Sequence, residues 1–255
     1  MSTHTTRTPN GKVVIVTGAA QGIGAAIAER LARDGFDIVI ADLKSADTKA
    51  AAVAKECEAA GARVAVIPVD VRSEEDVTAL VAGAVEKLGR VDVMVANAGI
   101  GPPVDFLETT TKTMNDLWEI NIRGVMYCYQ AAARQMIKQG GGGRLIAASS
   151  VAGLSGFPPS TGHCAAAELG KHGITCNTYN PGVVQTDMWT ELDKFYSGKA
   201  GGPDGSALAA QAAANPLGRN TNPTEVANAV SFLAGPDAAY ISGASLCISG
   251  GMQMH

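Results

Sequence analysis

The sequence lacks long apolar runs, basic blocks and a secretory leader. No stretch approaches the roughly 18 consecutive apolar residues of a membrane-spanning helix, so no membrane partner is predicted. Lysine and arginine total 20 against 24 acidic residues, a formal net charge of −4, and form no cluster, which argues against nucleic acid as a partner. Residues 1–9 are rich in serine and threonine and lack the apolar core of a secretory signal.

Paired cysteines are also absent. The five cysteines are scattered and form no C-x-x-C pair; they are Cys57, Cys128, Cys164, Cys176 and Cys247. With neither a disulfide framework nor a metal-binding spacing, the pattern predicts reduced, mostly buried thiols in a cytoplasmic protein and no metal site.

Short β-branched runs alternate with amphipathic stretches. The predicted strands are 12–17, 37–41, 64–71, 91–96, 144–149, 174–179 and 246–249. Helices are predicted over 22–34, 46–60, 74–88, 113–138 and 224–235, with Ser73 and Thr224 near helix starts. Because continuous apolar strands alternate with helices, we expect a doubly wound parallel sheet flanked by helices. The prediction is a single-domain α/β Rossmann fold over residues 1–255.

A long segment over 187–216 follows the sixth predicted strand and contains four glycines, all between 198 and 205. Segments at this place often cover a ligand, so it is predicted as a substrate lid. The alternative is a flexible surface insertion. Trp189 at its start is expected either to cap a small substrate or to anchor the segment.

The first predicted strand runs into a glycine-rich loop that a helix follows. Glycines permit a tight turn and close backbone approach to a pyrophosphate, whose charge the helix N-terminus attracts. A strand before the loop and a helix after it favour dinucleotide binding over chance. The predicted contacts are Gly18, Gln21, Gly22, Ile23 and Gly24.

Asp42 ends the second predicted strand, 18 residues beyond Gly24. A carboxylate at this place accepts hydrogen bonds from the adenosine ribose hydroxyls and repels a 2′-phosphate. Since the glycine loop contains no lysine or arginine, NAD is favoured over NADP.

Further polar and small residues follow the third and fourth predicted strands. Ligands of open α/β sheets bind at the carboxyl ends of strands, so these residues are predicted to face the adenosine. Asp70 is expected to hold the adenine amino group, beside Val71. Asn97, Ala98 and Gly99 are expected to face the ribose.

These motifs, in this order, resemble the short-chain dehydrogenase/reductase family over nearly the whole chain. The resemblance implies that Asn121, in INIRGV, is the family's structural and proton-relay asparagine. It implies that Ser150, in SSVAG, orients the substrate. The stretch implied to contact the nicotinamide carboxamide contains Pro181, Gly182, Val184 and Thr186.

Within the family, the second half looks most like acetoin, diacetyl and butanediol oxidoreductases. The matching phrases are QGGGGR at 139–144 and TDMWTELD at 186–193. The resemblance implies NAD-dependent hydride transfer involving a small secondary alcohol or ketone: a hydroxyketone, a diketone or a diol. It also implies a homo-oligomer, either a dimer or a tetramer.

The family's Tyr-x-x-x-Lys pair, expected about thirteen residues after the serine, is absent. That tyrosine exchanges a proton with the substrate oxygen, and the lysine lowers its pKa. His163 occupies the tyrosine position and Ala167 the lysine position. By comparison with the family, about twelve residues are missing between Gly162 and His163. A helix of about two turns around 164–170 is expected to remain, with weakened subunit contacts.

Three explanations of the missing pair stay open. The chain binds nucleotide without turnover, or it is an ordinary enzyme that has lost the segment, or the protein retains a segment that this sequence does not include. His163 is a candidate acid/base replacement, and the alternative is an ordinary histidine at a helix start. Lys171 is expected to face solvent and Tyr179 to pack in the core.

Overall fold

Seven β-branched segments pair side by side in the computed structural model, which describes residues 8–151 and 160–253, without the side chains of 160–164. Every neighbouring pair is parallel, in the order β3-β2-β1-β4-β5-β6-β7. This confirms the predicted fold class. The strands are β1 (Val13–Thr17), β2 (Asp37–Asp42), β3 (Val64–Pro68), β4 (Val93–Ala96), β5 (Gly143–Ala148), β6 (Ile174–Pro181) and β7 (Ser245–Ile248).

Helices cover both faces of the sheet. They are α1 (Gly22–Arg33), α2 (Asp47–Ala59), α3 (Glu74–Leu88), α4 (Thr111–Trp118), α5 (Gly124–Gln139), α6 (Ser160–Leu169), α7 (Asp187–Lys199), α8 (Ser206–Ala214) and α9 (Pro223–Ala234). One apolar layer joins α1, α2 and α9 to the sheet, and the other joins α3 and α5. The order of strands reverses between β1 and β4, which opens a crevice outside their carboxyl ends.

Side-chain capping hydrogen bonds determine where helices α3 and α9 begin. The Ser73 hydroxyl accepts the Asp76 N–H at 3.1 Å and starts α3 as predicted. The last helix begins earlier than Thr224, because Asn222 is its N-cap. The Asn222 side chain accepts the Glu225 N–H at 3.0 Å, and the Glu225 carboxylate accepts the Asn222 N–H at 3.2 Å. This reciprocal box fixes the start at Pro223.

Three further elements differ from the prediction. The third strand stops at Pro68 rather than Val71, because its partner β2 ends opposite at Asp42. The long helix predicted over 113–138 contains a π-helical turn, Glu119–Arg123, between α4 and α5. Helix α6 has ten residues and starts at Ser160, so it is longer than the two turns expected around 164–170.

Cys57, Cys128 and Cys176 are buried free thiols, as predicted. Burial raises the pKa of Cys57 and Cys128 to about 12, and that of Cys176 to about 11, so these thiols stay protonated. Cys164 lies outside the described side chains. In the part of the chain that the structure describes, no helix is long and apolar enough to cross a membrane.

Candidate functional site

The turn from β1 into α1 accepts only glycine at its tightest points. Gly18 and Gly22 have φ angles of +63° and +57°, in the left-handed region that favours glycine. A Cβ added to Gly24 would overlap the Gly18 carbonyl oxygen and lie 2.6 Å from Asn97 Nδ2. Helix α1 therefore starts in direct contact with its own loop.

The N-terminus of α1 is open to a ligand. Its N-cap residue Gln21 makes no side-chain cap hydrogen bond, and the first turn carries no acidic residue. The first N–H groups of a helix have no intrahelical partner, and they carry partial positive charge. A Cβ added to Gly22 would contact only Thr186, whose Cγ2 is 3.6 Å away. This space, lined by amide donors, fits a pyrophosphate.

Asp42 lies at the edge of this turn, where the sequence places it. Its Oδ2 accepts the Ala20 N–H at 2.9 Å and its Oδ1 accepts the Leu43 N–H at 2.8 Å. Each carboxylate oxygen accepts more than one hydrogen bond, so both can also receive ribose hydroxyls. The two backbone bonds hold the carboxylate at the turn.

A lysine that sequence reasoning missed lies against the glycine loop. Lys49, from α2, donates to Gln21 Oε1 at 2.5 Å and lies 3.9 Å from Asp187 Oδ2. The loop itself contains no cation, but the fold brings one to it. Nothing in the sequence around Lys49 predicts that its side chain reaches the glycine loop.

Asn97 links three strands beneath the loop. Its Nδ2 donates to the Thr17 carbonyl at 2.9 Å and to the Gly18 carbonyl at 3.2 Å. The buried Tyr179 hydroxyl, from β6, donates to Asn97 Oδ1 at 2.8 Å. Burial raises the pKa of Tyr179, so its hydroxyl keeps its proton and acts as a fixed donor. Core packing was expected for Tyr179; the hydrogen bond was not.

Asn121 lies in the π-helical turn and holds the segment after Gly99. Its Oδ1 accepts the Ile100 N–H at 2.9 Å, and its Nδ2 donates to the Ile100 carbonyl at 2.9 Å. A Cβ added to Gly99 would lie 3.3 Å from Asn121 Oδ1. These hydrogen bonds tie the turn to the segment after β4, and the role expected of Asn121 in proton relay stays a prediction.

Asp70 and Val71 are less available than the sequence suggested. The Asp70 carboxylate accepts the Arg72 Nε–H at 2.9 Å, and this hydrogen bond lowers the pKa of Asp70. Val71 is buried, and a Cβ added to Gly124 would lie 3.0 Å from its Cγ2. An adenine at Asp70 would therefore share the carboxylate with Arg72.

The residues expected on the nicotinamide side lie along the same edge of the sheet. Ser150 follows β5 by two residues, and the Ser149 N–H donates to the Tyr179 carbonyl at 2.9 Å. Pro181 ends β6, and the Gly182 N–H donates to the Ile248 carbonyl at 3.1 Å. Beyond them lie Val184, which is buried, and Thr186, whose Cγ2 lies 3.6 Å from a Cβ built on Gly22.

The candidate replacements for the missing acid/base pair occupy opposite ends of α6. The backbone of His163 lies in its first turn, and the side chain falls outside the described residues, so its role stays a prediction. Lys171 is exposed, as expected, and precedes β6. Strand β6 has eight residues, so Lys171 lies about 20 Å from the carboxyl edge. It cannot reach a substrate there.

Helices α7 and α8 form a hairpin held by a buried carboxylate. Asp193 accepts the Leu208 N–H at 2.8 Å and also the Gly205 N–H, and these bonds lower its pKa. The hairpin approaches the loop after β4 at two places: Met188 Sδ lies 3.4 Å from a Cβ built on Gly101, and Lys199 pairs with Asp105. The sequence pattern predicted neither the hydrogen bonds of Asp193 nor the approach of the hairpin to the loop after β4.

Comparisons with known proteins agree with this geometry. A family model described as enoyl-(acyl carrier protein) reductase matches residues 18–253. The L-2,3-butanediol dehydrogenase of Corynebacterium glutamicum is 38% identical over 253 residues, which cover 94% of this chain and 98% of the relative. The chain belongs to the short-chain dehydrogenase/reductase family. The resemblance seen in the motifs is confirmed, and the family is one of oxidoreductases that act on CH–OH groups.

Other members of this family extend the comparison. A diacetyl reductase ((S)-acetoin forming) of Staphylococcus epidermidis is 39% identical, covering 94% of this chain and 98% of the relative. Carveol dehydrogenase from Mycobacterium avium, solved with NAD, superposes with a TM-score of 0.89 at 29% identity, covering 97% and 99%. An F189W actinorhodin polyketide ketoreductase, solved with NADPH, gives 0.90 at 30% identity, covering 98% and 100%.

Proposed function

We propose that this chain binds NAD at the carboxyl edge of its sheet, in a site arranged for hydride exchange with a small secondary alcohol or ketone. The observation that carries the proposal is Asp42, held by two backbone N–H groups beside an uncapped, glycine-lined helix N-terminus. A carboxylate there favours a ribose with a free 2′-hydroxyl. When bound, a nicotinamide dinucleotide supplies or accepts the hydride.

Each group of residues around this site is proposed to bind a different part of the nucleotide or the substrate. Gly18 to Gly24 receive the pyrophosphate, and Asn97 to Gly99 face the adenosine ribose. Ser150 orients the substrate oxygen beside the nicotinamide, which Pro181 to Thr186 flank. The α7–α8 hairpin, within 187–216, covers the substrate as a lid. The names of the butanediol and diacetyl relatives support a diol, hydroxyketone or diketone of similar size.

A second candidate function is nucleotide binding without turnover, in a cytoplasmic protein of the same fold. Between Ser150 and Pro181 the only tyrosine is Tyr179, whose hydroxyl is engaged with Asn97, and the only lysine is Lys171. The 253-residue match to the butanediol dehydrogenase includes about 240 residues of this chain, so about 13 positions of the relative have no counterpart. A gap of that size supports loss of one segment. The relatives' names support the catalytic candidate.

Nucleotide titration and a turnover assay test both functions together. We expect NADH to bind at least about tenfold more tightly than NADPH, because Asp42 repels a 2′-phosphate. Asp42→Ser should narrow this ratio by weakening NADH and admitting NADPH. Binding is measured by NADH fluorescence, and turnover by nicotinamide absorbance with a panel of diols and diketones.

Each result of this test has a definite meaning. Absence of binding to either nucleotide would overturn the proposal. Tight binding with no absorbance change across the panel would select the second candidate. Equal affinity for NADH and NADPH would show that Lys49, near Gln21, offsets Asp42 and would overturn the preference for NAD.

We also propose that the chain forms a homo-oligomer through an exposed apolar stripe on the α4–α5 helix. The stripe consists of Met114, Trp118, Ile122 and Met126, exposed by 60, 56, 41 and 38%. A contiguous apolar face of this kind is typical of an interface. A shortened α6 would weaken the assembly without removing the stripe.

Trp118→Glu is expected to shift the protein to monomer at micromolar concentration, since it puts a charge at the centre of the stripe. Sedimentation velocity measures the change. Val66→Glu, on the edge strand β3, is the matched control and should leave the assembly intact. A wild-type protein that is monomeric throughout, or equal effects of the two variants, would contradict the proposal.

A further inference from the structure

Tyr179 connects the far side of the site to the glycine turn. It lies on β6, two strands from β4, and its ring is fully buried among apolar residues of the α1–α9 layer. Its hydroxyl crosses the end of β5 to reach Asn97 Oδ1 at 2.8 Å.

The Asn97 amide satisfies its neighbours in one orientation only. Its Nδ2 faces two carbonyl oxygens, those of Thr17 and Gly18, and its Oδ1 faces the Tyr179 hydroxyl. Turning the amide over would place Oδ1 against both carbonyls, which have no hydrogen to give. The tyrosine donor and the two carbonyl acceptors therefore select the same orientation.

The glycine turn has no room to absorb a change in that orientation. An added Cβ on Gly18 would lie 3.1 Å from Asn97 Nδ2, and one on Gly24 would lie 2.6 Å from it. The amide thus packs against both ends of the turn. Rotation of the amide would break its hydrogen bonds to the Thr17 and Gly18 carbonyls, which hold the turn that presents N–H groups to an anion.

We propose that Tyr179 is a positioning residue for dinucleotide binding, acting through the Asn97 amide on the glycine turn. This inference rests on the proposed function for its ligand. Removing the hydroxyl takes away the donor that the structure gives to the half-buried Asn97 Oδ1, and the amide rotates toward other partners. The N–H groups of the turn then lose the arrangement that receives the pyrophosphate.

Tyr179→Phe tests the inference against Tyr129→Phe as a matched control. Tyr129, on α5, is also buried, but its hydroxyl donates to the Asn177 carbonyl at 3.2 Å on the opposite face of the sheet. Both variants should lower the melting temperature by about 2–8 °C. Only Tyr179→Phe should weaken NADH binding, by about tenfold. The same loss is expected for ADP-ribose, which lacks the nicotinamide.

The outcomes separate this inference from the proposed function. If the wild type binds neither NADH nor ADP-ribose, the proposed function fails before the variants are compared. If the wild type binds both and Tyr179→Phe stays within twofold of it, the positioning role is wrong and the proposed function stands. Equal weakening by Tyr129→Phe would reduce the effect to general destabilisation and overturn the inference.

Discussion

Gly24→Ala is expected to weaken NADH binding by at least about a hundredfold. The new Cβ would overlap the Gly18 carbonyl oxygen and press on the Asn97 amide. Both belong to the turn, so relief requires the N-terminus of α1 to move away from the pyrophosphate position. NADH fluorescence titration measures the loss, and a urea melt in parallel measures stability.

Gly198→Ala is the matched control. This glycine lies in α7 and an added Cβ would contact nothing within 4 Å, so helix propensity should stabilise the protein by about 0.5–1 kcal/mol with NADH affinity unchanged. If Gly24→Ala fails to fold, Gly22→Ala replaces it, because there the Cβ would meet only the Thr186 side chain and the strain is confined to the backbone of the turn, at a φ of +57°. Wild-type affinity in either folded variant would show that the nucleotide binds elsewhere.

Restoring the missing segment is expected to raise turnover of a small diol or diketone by about 10²–10⁴-fold, the range that a positioned acid/base contributes. The insertion is twelve residues between Gly162 and His163, beginning Tyr-Ser-x-x-Lys, so that the tyrosine follows Ser150 by thirteen residues. The four-residue spacing brings tyrosine and lysine to one helix face. Nicotinamide absorbance measures the gain, under saturating NADH for a diketone and under saturating NAD⁺ for a diol.

The same insertion with phenylalanine in place of its tyrosine is the control, since it restores the helix without the proton donor. Activity should return only with the tyrosine. An inserted protein that binds NADH yet stays inactive would mean that the site has lost more than this pair. Full activity in the chain without the insertion would direct attention to His163 and rule out the non-catalytic candidate.

The fold was predictable because the patterns that determine it lie within short segments and recur along the chain. Continuous β-branched runs such as Val13–Thr17 indicate strands buried on both faces, and helical periodicity between them requires crossovers over a parallel sheet. The glycine turn and Asp42 were predictable for a similar reason, because both lie within a single strand–helix–strand unit of the sequence.

The unpredicted parts depend on contacts between distant side chains. Lys49 reaches Gln21 from another helix, and Asp193 clamps two helices through amides of a later turn. The Tyr179 hydroxyl meets Asn97 only because the strand order places β6 two positions from β4. Hydrophobic periodicity along the sequence does not predict contacts between side chains that lie so far apart in the chain. Asn222 is different, because Asn-Pro-x-Glu is a recognisable helix start that the sequence analysis overlooked.

The π-helical turn at Glu119–Arg123 couples the inside of the site to the outer surface. In a regular α-helix, each step of four residues rotates about 40° beyond a full turn, so Met114 to Met126 would wind around the helix axis. The wider turn takes up part of that rotation. The same extra residue aims Asn121 inward at Ile100. One backbone irregularity therefore both positions Asn121 and reduces the winding of the surface proposed to receive a second copy.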